Sequence, residues 1–232
     1  MILCSIKRPP FLFSLNFVSI GLMVGLNKVI KTLIISDFLL QSGWGLVGPI
    51  FAIFVLRQIE EGTVVAVGFI AATYWFVKSV AQPFIARFVD VEKGEADDFK
   101  FLFYGLLFAN LVPLGYLFST QLWQIFLLEI IRGLCMAFVV PGWAGIFIKH
   151  IDKGWEALSW SADSTGIGFA AAFAAAFGGM IAASLGFRAV FILITVFGLF
   201  STLILLSIRD QLVLAKPFKP KLPPSEKPEK QF

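Results

Sequence analysis

Six apolar runs decide what this chain can become. They cover residues 33–56, 64–86, 101–119, 122–148, 159–184 and 187–208, and a helix crossing a hydrocarbon layer takes about 20 predominantly apolar residues. Inside such a layer each backbone N–H and C=O must find its partner within the chain, so runs of this length become helices. The predicted fold class is therefore an all-α membrane protein with six transmembrane helices. Of the 21 charged residues between 33 and 208, fifteen fall between the runs and Arg188 at the very edge of the last; only Asp37, Lys78, Glu129, Arg132 and Asp163 fall well inside them. Lipid imposes that sorting, because a charge at the centre of a spanning helix costs roughly 2.5–3.5 kcal/mol even on the lenient insertion scale.

Composition closes the other routes. With 58% hydrophobic and 15% charged residues and a mean hydropathy of +0.87, the 232 residues leave no room for a soluble catalytic domain beside the spans. A single histidine, His150, and two cysteines, Cys4 and Cys135, speak against a disulfide framework and a His/Cys metal site. No phosphate-binding Gly-rich loop and no Ser/His or paired-carboxylate spacing is present, so neither an enzyme, a cofactor nor a metal is expected. The net charge of +4 bears on orientation and lipid rather than nucleic acid. Lys28, Lys31, Arg87, Lys93, Lys100, Lys149, Lys153, Arg209, Lys216, Lys219 and Lys221 fall on one side of the predicted membrane, against Arg57 and Arg188 on the other. Positive loops stay inside, which predicts a multi-pass protein of the plasma or inner membrane with both termini in the cytoplasm.

Three regions follow. Residues 1–28 form an amino-terminal extension, with two readings open: a short signal-like or interfacial segment, or sequence upstream of a start at Met23. Residues 29–210 form the membrane domain. Residues 211–232 are rich in Pro and Lys and are expected to be a disordered cytoplasmic tail.

Two spans share a feature. The first reads SGWGLVGPIF, with Trp44, Gly45, Gly48 and Pro49; the fourth reads VVPGWAGIF, with Pro141, Gly142, Trp143 and Gly145. Gly/Pro interruptions in corresponding spans point to a 3+3 inverted repeat with a central pathway, since a freed backbone carbonyl is tolerable where a helix faces protein or a water-filled cavity. The fifth span carries small residues at Gly166, Ala170, Ala174 and Gly178, with Gly179 beside them. Such a stripe admits a close helix neighbour, from this chain or another.

The charges inside the spans are the candidate site. Glu129 and Arg132 are three residues apart, hence on one helical face, and Arg132 lies about 15 Å from the outer end of its span. A guanidinium there needs a carboxylate or an anionic solute, so the pair is either a substrate or coupling-ion site or an internal ion pair that orients the helix. Asp37 can pair with Lys78 or face the cavity as a proton acceptor. Gln41 and Asn110 can hydrogen-bond a solute or another helix, and Trp44 and Trp143 are candidate cavity walls. Asp163, near the start of its span, is expected to stabilise the helix N-terminus. His150 is assigned no chemistry.

Several stretches carry a resemblance. The segment QPFIARFVDVEKGEADDFK resembles the GxLaDrxGrk loop signature of the major facilitator superfamily, with Ala86 at the first Gly, Phe88 and Val89 in the apolar places, Asp90 as the acidic residue and Gly94 one residue late for the second Gly. EIIRGLCMAF is similar to the family's membrane-embedded arginine motif at Arg132. AAFAAAFGGMIA is similar to its gxxxGPxxGG element, keeping Gly178 and Gly179, and SLGFRAVF to the short connector between spans five and six, with Gly186, Phe187 and Arg188. The resemblance covers about residues 29–210 and implies a half of the family's twelve-span architecture. It implies a secondary transporter of a small solute working by alternating access, with Asp90 and Gly94 in a cytoplasmic gating loop. Such a half would act as a homodimer or with a second half; the alternative is a non-transporting scaffold or a remnant.

Overall fold

The computed structural model describes residues 25–48, 50–91 and 94–213. The expected extension and tail, 1–28 and 211–232, lie almost wholly outside these, as does Pro49. The helices are α1 (Lys28–Val47), α2 (Phe51–Gln58), α3 (Val64–Val91), α4 (Glu95–Tyr116), α5 (Leu122–His150) and α6 (Glu156–Ile204), followed by a 3-10 turn (Leu205–Ile208) and α7 (Arg209–Val213). The described residues contain no strand beyond one isolated bridge between Glu60 and Gln121. Helices begin where a polar side chain can serve the free N–H groups of a first turn. The Asn27 side chain accepts from the Ile30 amide at 2.9 Å, and Thr63 accepts from the Ala66 amide at 3.1 Å. Gln121 and Gln124 cap α5 reciprocally.

Four of these helices are long and apolar enough to cross a membrane, or five if α1 and α2, bent by 42° to each other, count as one span. The protein is thus an integral, multi-pass membrane protein. Its outer surface agrees: Phe69, Phe76 and Phe84 on α3 and Phe169, Phe173 and Phe177 on α6 are exposed, as lipid-facing side chains should be.

The expected spans at 159–184 and 187–208 fall on α6 and the 3-10 turn that ends it, and α6 breaks at Gly186 (φ 80°, ψ 170°), a conformation essentially confined to glycine. On the first arm, Ala174 and Gly178 meet Gly45 and Leu46 of α1; on the second, Ile194 meets Gly43, and Ser201 hydrogen-bonds Ser36 at 2.9 Å. Sequence number rises along α1 with the first arm and falls with the second. The chain therefore reverses at Gly186, and both arms pack on α1.

That packing identifies the neighbour of the small-residue stripe. A Cβ on Gly178 would overlap the Leu46 carbonyl oxygen, and one on Gly45 would lie 2.7 Å from the Ala174 Cβ. Gly166, Ala170, Ala174 and Gly178 line this seam, so the stripe is filled from within the chain. Gly179 is the exception: nothing lies within 4 Å of a Cβ built there.

The Gly/Pro segments of the first and fourth spans do not behave alike. α1 ends at Val47, whereas α5 runs unbroken through Pro141. At the Pro141 turn α4 lies hard against α5: a Cβ on Gly142 would lie 2.7 Å from the Asp98 carbonyl oxygen.

The core has two clusters. Leu33, Phe99, Leu102, Ile146 and Phe147 belong to the one near the basic end, where Lys28 and Lys149 lie; Phe54, Ile70, Tyr116, Ile125 and Phe191 belong to the one near the other end.

Candidate functional site

The two charges of α5 form the centre of the site. Glu129 is 3% exposed, and a carboxylate so buried must have its oxygens satisfied. One oxygen accepts from the Tyr116 hydroxyl at the end of α4; the other accepts from Arg132 Nε at 2.9 Å and Nη2 at 2.5 Å. The guanidinium in turn lies 3.7 Å from the Tyr74 ring centre on α3 and 4.5 Å from that of Trp44 on α1. Four helices therefore converge on one ion pair. A planar cation held by a carboxylate and two aromatic rings has a fixed orientation, which an ammonium would not.

This cluster borders a cavity of about 390 Å³, within the range of small-molecule sites. Gln41 and Trp44 face it from α1, Phe51 from α2, Ile70, Tyr74 and Trp75 from α3, and Glu129, Arg132 and Met136 from α5. Of the residues expected to line a pathway, Gln41, Trp44, Glu129 and Arg132 come together here.

The others do not. Asn110 is wholly buried between α4 and the second arm of α6, donating to the Gly198 carbonyl at 2.9 Å and to Thr202 at 3.2 Å; it joins helices. Asp37 does not pair with Lys78. It turns toward α6 and α5, where it adjoins Asp163 and the Trp143 indole. Trp143 stacks on Phe147 with ring centres 4.4 Å apart. Asp163 thus sits buried against α1, beyond the first turn of α6, and not at the helix end where it was expected. These residues make a second polar cluster, closer to the basic end. Lys78 instead sits over the rings of Trp75 (5.0 Å) and Tyr74 (5.9 Å).

Sequence reasoning missed Tyr74 and Tyr116. The chain has only three tyrosines, and two of them contact the Glu129–Arg132 pair. A hydroxyl inside an apolar run is a polar group needing a partner, and that was the available signal.

At the basic end, Asp90 falls in the last turn of α3, with its side chain outside the described residues, and Gly94 precedes α4 in extended backbone. Glu95, Asp97 and Asp98 occupy the first turn of α4, where the helix dipole favours acidic groups. Asp98 accepts from Lys149 at 2.6 Å, tying α4 to α5; Glu95 lies 3.7 Å from His150. The Asn27 side chain donates to the His150 carbonyl, adding α1. The acidic run after Gly94 thus has a structural role of its own.

Residues 33–231 match the family model described as Major Facilitator Superfamily. No curated protein matches the chain.

Proposed function

Because the chain belongs to the major facilitator superfamily, a family of transporters, we propose that it is a secondary transporter that moves a small solute by alternating access. The observation that carries this reading is the cavity in which α1, α3 and α5 place Gln41, Trp44 and the Glu129–Arg132 pair together. An ionised pair is costly within a membrane, and one beside a solute-sized space has a use there.

In this reading α1 with α2, α3, α4, α5 and the two arms of α6 are six spans in a 3+3 inverted repeat, with both termini on the cytoplasmic side. Two such bundles inserted the same way, or one with a second half, enclose the pathway. Asp90 and Gly94 serve the cytoplasmic gate, and Asp37, with Asp163 and Trp143 beside it, supplies a site for the coupling ion. A scaffold that binds partners through the fifth-span stripe is less well supported, because α1 already fills that stripe.

The test requires no substrate. In a chain with Cys4 and Cys135 replaced by alanine, Gln41→Cys is expected to react with a membrane-impermeant maleimide in both right-side-out and inside-out vesicles. Labelling from one side alone would reject alternating access.

A further inference from the structure

The fixed charges at the cavity do not balance. Both oxygens of Glu129 are engaged, one by Tyr116 and the other twice by Arg132, so its charge is matched by that guanidinium. Lys78 remains. No carboxylate lies within ion-pair distance of it among the described residues, and its ammonium rests on the rings of Trp75 and Tyr74, both of which face the cavity. It is also near enough to Arg132 to be repelled by it. An aromatic face only partly compensates an ammonium removed from water. Just beyond the lining residues, the α3 side of the cavity therefore carries one unmatched positive charge of this chain, and Trp44, Phe51 and Trp75 present aromatic side chains to the cavity.

We propose that this cavity selects a singly charged organic anion with an aromatic or broad apolar body, its acid group held by Lys78 and its body lying against Trp44 and Trp75. The selection rests on the cavity being the solute site proposed above. An incoming anion completes the charge balance, whereas a matched cation adds to the repulsion between Lys78 and Arg132. The volume of about 390 Å³ suits a compact solute.

Four probes separate charge from shape: 4-phenylbutyrate, 4-phenylbutylamine, 4-phenylbutanol and butyrate. Binding to the full-length protein in phosphatidylcholine nanodiscs is read from tryptophan emission, with empty nanodiscs as the control for partitioning. The expected result is that 4-phenylbutyrate binds at least about tenfold more tightly than each of the other three. Lys78→Gln is expected to abolish its advantage over the alcohol, and Lys78→Arg to keep it. The proposal is overturned if the amine or the alcohol binds as well as the acid, if Lys78→Gln retains the preference, or if no probe binds above the control. Displacement of the acid by phosphatidylglycerol in the nanodisc would assign the anion site to a lipid headgroup and overturn a diffusible cargo. The Gln41→Cys labelling keeps the two claims apart. Labelling from both sides without acid preference leaves transport standing and removes this selection; acid preference dependent on Lys78 with labelling from one side leaves an anion-binding cavity without transport.

Discussion

At the residue scale, the buried ion pair sets the largest single-site effects. Arg132→Ala leaves Glu129 buried without its cation and is expected to destabilise the protein by about 3–5 kcal/mol, the cost of breaking a buried pair from one side. Arg132→Lys keeps the charge but not the planar contact with Tyr74 and Trp44, so its thermal unfolding in nanodiscs should fall between wild type and Arg132→Ala. Removing both charges, as Glu129→Gln with Arg132→Gln, should cost less than the two single changes added together; strict additivity would show that the pair is not energetically coupled. Tyr116→Phe removes one hydrogen bond to Glu129 and should cost about 1–3 kcal/mol, because the carboxylate oxygen it leaves behind is buried.

At the element scale, the seam between α1 and α6 supports a contrast between adjacent glycines. Gly178→Val drives a side chain into the Leu46 carbonyl and should lower the unfolding temperature sharply, while Gly179→Val meets open space and should leave it nearly unchanged. Equal effects at the two positions would disprove this packing. Gly186→Ala forces a Cβ into φ 80° and is expected to cost about 1–3 kcal/mol through backbone strain alone, since nothing crowds that site. The apolar runs were legible because lipid demands them locally, and the Ala174 and Gly178 positions because small residues recur every four positions in the fifth span. The different fates of the two Gly/Pro segments were not, because they read alike locally and the contacts each makes, such as Gly142 against Asp98, come from residues far along the chain. The partners of Asp37 were hidden for the same reason: Trp143 and Asp163 lie more than 100 residues along the chain, and residue spacing says nothing about contacts made by folding back. Glu129 and Arg132 could be paired in advance only because three residues of helix do the pairing.

At the scale of the whole molecule, the cavity walls come from one 25.6 kDa chain, and the proposed pathway needs a facing bundle. Native mass spectrometry of the protein from nanodiscs, with no other polypeptide present, is expected to show a particle of two chains. A monomer at all concentrations would rule out self-completion and turn the search toward a second half. The bundle is also pinned at both ends. Away from the basic end, the Glu60 amide donates to the Thr120 carbonyl at 2.8 Å, clipping the α2–α3 link to the α4–α5 link; at the basic end, Asn27, Asp98, Lys149 and His150 join α1, α4 and α5. A bundle stapled top and bottom is mechanically a single beam. It resists shear between its own helices, so any large stroke must be a tilt of the entire beam, with the hinge at its outer boundary.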